Sequence, residues 1–208
     1  IQNAVEMGLT LEAMLERVAE YAYYEELFID AFGDPVVTSE RIARALAQFV
    51  RSIVSTQSRY DLGEANDFAD FTPQELLGQQ LFNGRGRCVR CHAGPNFVGT
   101  RIENNGLEFP YVDEGVGAVT GRERDLGKFK MSSLRNIEKT APYMHDGRFA
   151  TLEAVIDHYD RGVVTNPNLG GPLSDSAGVA RQLNLSQAEK EGLVAFLRTL
   201  TDETTLTD

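Results

Sequence analysis

Two cysteines and three histidines are the side chains of this 208-residue sequence best suited to metal or redox chemistry, and three of the five lie together. They form the run Cys88-Val89-Arg90-Cys91-His92. CxxCH is the attachment sequence of a c-type haem: thioethers from Cys88 and Cys91 fix the porphyrin edge, and His92 reaches the iron as proximal ligand. The spacing lets one short turn present two sulfurs and an imidazole to a single macrocycle. A zinc half-site and a thiol redox pair are the rival chemistries. Structural zinc takes four ligands, and beyond this run only His145 and His158 remain. A thioredoxin-type CxxC belongs in a βαβ setting, of which the pattern has no trace. Haem attachment of this kind is made outside the cytoplasm, so the expected location is the periplasm or its equivalent.

A haem iron takes a second axial donor, and its identity decides the function. A soft Met raises the potential and suits electron transfer, whereas a Tyr phenolate is hard and favours oxidised iron. The candidates after the motif are Met131, Met144, His145, His158 and Tyr159. Leu152, Val155, Ile156 and Tyr159 recur at helical spacing and make one apolar face. Tyr159 thus points inward, as an ordinary core tyrosine or as a ligand, while His158 is turned about 100° away and reads as a surface group at a helix end. Met131 and Met144 read as core fillers.

Twenty Lys and Arg against 31 Asp and Glu leave a formal charge of −11, which argues against nucleic acid or an anionic membrane face as partner. Apolar residues make up 42%, enough for a core. No apolar run approaches the ~20 residues needed to span a bilayer, so no membrane span is expected. The sequence opens at Ile1 with no signal-peptide features and reads as a processed or truncated product.

The elements that must position the haem motif are helical. Thr10 to Phe32 carries a 3.6-period stripe closed by Gly33-Asp34-Pro35, and Thr38 caps a helix striped by Ile42, Ala45, Leu46, Phe49, Val50 and Ile53. Arg41, Arg44 and Arg51 fall on its polar side. Thr72-Pro73-Gln74-Glu75 combines a cap, a Pro at the first helical position and a capping-box Glu; that helix stops at Asn83-Gly84, four residues before Cys88. Residues 93–130 read as a long irregular excursion of the kind that wraps a ligand. Thr151 caps a short helix to about Asp160, and Ser186 with Glu189 boxes a final one. The fold class expected is all-α with long loops and at most minor strands.

These segments resemble the bacterial di-haem cytochrome c peroxidase and MauG superfamily. The likeness is carried by Val5-Glu6-Met7-Gly8, Ile42 to Ser52, Ser58-Arg59-Tyr60-Asp61, Gly78 to Phe82, the haem motif, Ser133-Leu134-Arg135-Asn136, Ala141-Pro142-Tyr143-Met144-His145-Asp146-Gly147, Thr151 to Asp160 and Leu193 to Leu197. It implies a cytochrome c-like haem domain over residues 61–208, preceded in 1–60 by helices belonging to a neighbouring, N-terminal haem domain. It also implies haem c, one on this chain and a second on that missing domain, with calcium between them. The activity implied is reduction of hydrogen peroxide with electrons relayed from a donor cytochrome or cupredoxin. The alternative within the superfamily is MauG-like oxidation of tryptophans in a protein substrate. A mono-haem electron carrier is the alternative from another class.

The resemblance assigns residues as well. Glu6 matches the acid/base that serves peroxide cleavage at the other haem; read alone, it is an exposed acid near a terminus. Thr140 and Pro142 match positions whose backbone carbonyls bind calcium. Arg135 matches a partner for a haem propionate, with a surface salt bridge as the equal alternative. Tyr159 falls where the peroxidases carry Met and MauG carries Tyr, and its spacing from Pro142 is MauG-like. The Trp that bridges the haems in the family would lie upstream, and this sequence has no Trp.

Overall fold

A computed structural model describes residues 1–204. The chain divides into two compact units, Ile1–Val54 and the part from Ser55 onward.

The first unit holds three helices: α1 (Leu11–Ala19), α2 (Ala22–Phe32) and α3 (Ser39–Ser52). The stripe from Thr10 to Phe32 is therefore two helices rather than one. The break falls at Glu20-Tyr21, where Tyr21 is extended and caps α2 without a side-chain hydrogen bond. Gly33 ends α2 in the left-handed conformation at φ 88°, the region open to a residue without Cβ. Thr38 caps α3 as expected, its hydroxyl accepting from the Arg41 amide. Arg41 is not simply a solvated charge: it forks onto both Asp34 carboxylate oxygens and lies over the Phe32 ring. Met14 and Phe28 are buried, whereas α3 buries no residue and leaves Leu46, Phe49 and Val50 exposed. The stripe on α3 is amphipathic as read, but it is not a packing face within this unit.

The second unit is built on α5 (Pro73–Asn83) crossing α8 (Gln187–Arg198), with α4 (Arg59–Glu64), α6 (Val116–Thr120) and α7 (Leu152–Asp157) around them. Both long helices open on full capping boxes, Thr72 with Glu75 and Ser186 with Glu189. The crossing is tight because glycines face each other: a Cβ on Gly78 would lie 1.9 Å from the Gly192 carbonyl oxygen. Phe82 on α5 and Phe196 on α8 meet with ring centroids 5.1 Å apart, and Phe97 and Tyr60 extend the aromatic cluster edge-on. Phe82, Leu193, Phe196 and Leu200 are essentially inaccessible to water and form the core. The excursion through 93–130 is irregular apart from α6, one brief 3-10 turn (Glu123–Asp125) and a two-residue strand β1 (Ile102–Glu103), antiparallel to β2 (Phe129–Lys130). No helix among the described residues is long and apolar enough to cross a membrane.

Candidate cofactor site

The Cys88–Arg90 segment is one 3-10 turn that follows α5 after four residues. Arg87 enters it in the left-handed region (φ 58°), and the Cys91 and His92 amides both return to the Cys88 carbonyl. The turn brings Cys88, Cys91 and His92 to the wall of one cavity of about 700 Å³, within the ~300–1,000 Å³ typical of cofactor sites. Its walls are mainly apolar, with Phe82 from α5, Leu193 and Leu197 from α8, and Leu134 from the loop between.

Three observations fit this cavity to a c-type haem. First, His92 Nδ1 lies 3.1 Å from the Phe97 carbonyl oxygen. A carbonyl can only accept, so the neutral tautomer that makes this bond carries its proton on Nδ1 and would offer the Nε2 lone pair to a metal, with the Ser132 carbonyl a second acceptor beside the ring. Burial also holds His92 below its ordinary range, which favours the neutral ligand form. Second, Cys88 and Cys91 form no disulfide, and burial pushes both thiols up, Cys88 to about 12. Such thiols are unlike the thiolates of a redox pair. No group of three or more His, Cys, Asp or Glu among the described residues could hold a metal ion, which disfavours zinc. Third, Arg87, Lys130 and Arg181 line the same cavity, and Arg87 and Arg181 lie close enough to repel. These are cations suited to the carboxylates of a porphyrin edge. Sequence reading had not marked them, because no local pattern ties residues 87, 130 and 181.

Leu152, Val155, Ile156 and Tyr159 all line the cavity, so the face read from helical spacing is the face that is used. Burial pushes the Tyr159 phenol up to about 12, against a hydrogen bond from Asn105 that acts in the opposite sense. His158, expected at the surface, is buried. The helix does not end there: α7 runs into a π-helical turn over His158–Gly162, whose wider i→i+5 winding keeps the imidazole inside. Its Nε2 donates to the Asn105 carbonyl at 3.0 Å, and the Phe149 and Tyr159 rings flank it. Within the same turn Asp160 is fully buried. It accepts from the Leu185 amide at 2.8 Å and lies 2.9 Å from Lys190 Nζ.

Met131 and Met144, read as core fillers, line the cavity instead, and His145 lines it too. His145 stacks on Phe129 at a centroid distance of 3.7 Å. Arg135 does not line it. The guanidinium forks onto Asp61 at 2.8 and 2.9 Å and donates from Nε to the Pro95 carbonyl, so it ties α4 to the loops instead of meeting a propionate. Thr140 and Pro142 sit on the cavity rim, and among the described residues neither carbonyl accepts a backbone hydrogen bond. Glu6 lies in the first unit, exposed, paired with the Ile1 amino group at 3.3 Å.

Residues 1–67 match the family model for di-haem cytochrome c peroxidase. The chain is 37% identical over 207 residues to a cytochrome c551 peroxidase of Nitrosomonas europaea, covering 98% of this chain and 57% of that protein. It is 32% identical to the methylamine utilization protein MauG of Methylophilus methylotrophus, covering 96% and 58%. It thus spans somewhat over half the length of these relatives. A MauG-like protein associated with microbial copper homeostasis superposes with a TM-score of 0.75 at 35% identity, covering 94% of this chain and 63% of that one. The diheme peroxidase BthA from Burkholderia thailandensis shares the fold at a TM-score of 0.68 and 21% identity, covering 97% and 60%. By sequence and by fold alike, the chain is similar over nearly its whole length to members of the superfamily that joins di-haem cytochrome c peroxidases with MauG.

Proposed function

We propose that this chain is the C-terminal haem-bearing part of a periplasmic di-haem oxidoreductase that reduces hydrogen peroxide. The observation that carries the reading is His92: its Nδ1–H is committed to the Phe97 carbonyl while its ring and both cysteine sulfurs face one apolar cavity. In this reading Cys88 and Cys91 would hold the haem covalently, and His92 and Tyr159 would be the donors to its iron. When bound, the haem would supply a one-electron redox couple suited to a donor cytochrome or cupredoxin. In this reading residues 61–208 are a cytochrome c-like domain, and the helices of residues 1–60 belong to the N-terminal haem domain; a break between compact units after Val54, six residues before that boundary, supports a division in this region.

The chain's own residues set the conditions for relay. Phe82, Leu193 and Leu197 exclude water from the cavity, which lowers the cost of reorganisation and strengthens local electrostatics. Thr140 and Pro142 offer hard carbonyl oxygens to calcium at the junction with the missing domain, and Pro142 brings no N–H to compete. Glu6 is the candidate proton carrier for peroxide at the other haem.

MauG-like oxidation of tryptophans in a partner protein is the second reading. It is favoured by Tyr159 and by the likeness to a MauG-like structure. Steady-state oxidation of reduced cytochrome c by peroxide, measured on the full-length protein with its haem content, tests the proposal. Two haems per polypeptide and brisk turnover are expected, with Glu6→Gln slowing the peroxide reaction. A single haem without turnover overturns the peroxidase reading in favour of a simple carrier. Two haems with slow donor oxidation favour the MauG-like one.

A further inference from the structure

Two side chains whose atoms can ligate iron meet at one amide. Asn105 Nδ2 donates to Met144 Sδ at 3.3 Å, and the same side chain lies beside the Tyr159 phenol and favours its ionised form against the push of burial. All three residues line the cavity that Cys88, Cys91 and His92 face. The Asn105 backbone carbonyl also accepts from His158 Nε2, so it anchors the residue next to Tyr159. A carboxamide has two N–H donors, enough to serve both neighbours. The two acceptors differ in strength: a thioether sulfur accepts weakly, a phenol oxygen well, and a phenolate much better through a charge-assisted bond. Met144 is moreover held at φ 75°, a left-handed conformation that a side-chain-bearing residue keeps only when its surroundings impose it.

We propose that Asn105 is a positioning residue that selects the iron's second axial donor, steadying the Tyr159 oxygen in the cavity while tying up the Met144 sulfur. The inference rests on the reading of Tyr159 as a haem ligand and adds what keeps its competitor away. Without the amide donors, the phenolate loses its charge-assisted partner and the thioether is released to reach the metal. Outer partners of this kind orient metal ligands throughout metalloproteins.

The test uses optical and EPR spectra of the haem-loaded full-length protein in its oxidised form. Asn105→Leu and Asn105→Asp both remove the donors, one with an apolar group and one with nearly unchanged shape. Both are expected to lose the phenolate-to-iron signature and to gain a thioether-to-iron charge-transfer band. That new band should vanish when Met144→Leu is added. Should Asn105→Leu fail to fold by far-UV circular dichroism, Asn105→Asp carries the test. If Tyr159→Phe changes the wild-type spectrum but the folded Asn105 variants do not, the proposal falls and the role of Tyr159 stands. If Tyr159→Phe leaves the spectrum unchanged, both fall. A thioether band that persists with Met144→Leu also overturns it.

Discussion

Replacing Gly78 with Ala probes the contact on which the second unit is built. On the Gly78 backbone a Cβ would stand 1.9 Å from the Gly192 carbonyl oxygen, 2.5 Å from its carbon and 2.7 Å from Phe196 Cβ. Even 3.0 Å, the shortest approach real Cβ atoms make, requires α5 and α8 to part by about 1.1 Å. A gap of ~0.5–1 Å already forfeits a quarter to a half of the dispersion energy between facing atoms, and Phe82, Leu193 and Phe196 face each other across this seam. Overpacking costs roughly 1–3 kcal/mol where neighbours can yield. The obstacle here is backbone, which places the cost at about 3 kcal/mol or more. Better helix propensity returns about 1 kcal/mol. The net loss of about 2 kcal/mol lowers the folded-to-unfolded ratio roughly thirtyfold. Gly192→Ala is the internal control. Its Cβ would meet Gln74 O at 3.2 Å, Gly78 N at 3.3 Å and Leu77 Cγ at 3.4 Å, so it should stay within about 1 kcal/mol of the parent. Urea unfolding of the haem-loaded protein, followed by far-UV circular dichroism, reads both variants, with an unchanged slope expected. Because Cys88 follows α5 so closely, Gly78→Ala should also lower the yield of attached haem. A Gly78→Ala midpoint at or above that of the parent would refute the tight crossing.

Acid should weaken the second unit through two carboxylates. Burial pushes Asp61 up, but hydrogen bonds from Arg135 and Ser58 outweigh it and hold the group below its usual range; Asp202, against the same burial, is held at about 2 by donors from Thr204 and the Gln57 amide. Groups lowered on folding stabilise the protein above their unfolded value of about 4 and lose that contribution as pH falls toward their folded values. The melting temperature is therefore expected to drop between pH 4 and pH 2, and a flat profile there would contradict the assignment. At pH 7, Asp61→Asn leaves the largely buried Arg135 guanidinium without its counter-ion and should cost about 2–3 kcal/mol in urea unfolding; a loss near zero would mean the fork carries no weight. Lys190→Met should lower stability more than Arg161→Met, since Lys190 Nζ lies 2.9 Å from the buried Asp160 carboxylate and Arg161 Nε 3.3 Å; the reverse order in thermal melts would count against the pairing.

The CxxCH run and the residues that start helices were both readable from the sequence, because their spacing is local. Thr38, Thr72 with Glu75, Thr151 and Ser186 with Glu189 cap through hydrogen bonds that span three positions. The division at Glu20-Tyr21 was not readable, since neither Gly nor Pro marks it and Tyr21 supplies no side-chain cap. Helical periodicity placed Leu152, Val155, Ile156 and Tyr159 on one face correctly. It misjudged His158, because a period of 3.6 cannot anticipate a π turn.

What the sequence alone determined is the candidate chemistry: two sulfurs and an imidazole within five residues can address one macrocycle whatever the rest of the chain does. Tertiary structure decided which polar groups serve that site. Arg135 found Asp61, 74 positions away, instead of the cavity; His92 found Phe97; Asn105 came to stand between Met144 and Tyr159. Apart from the five-residue reach of His92, these meetings depend on the path of long irregular loops over the α5–α8 crossing. Hydrogen bonds between residues distant in sequence are specified by that packing rather than by any spacing along the chain.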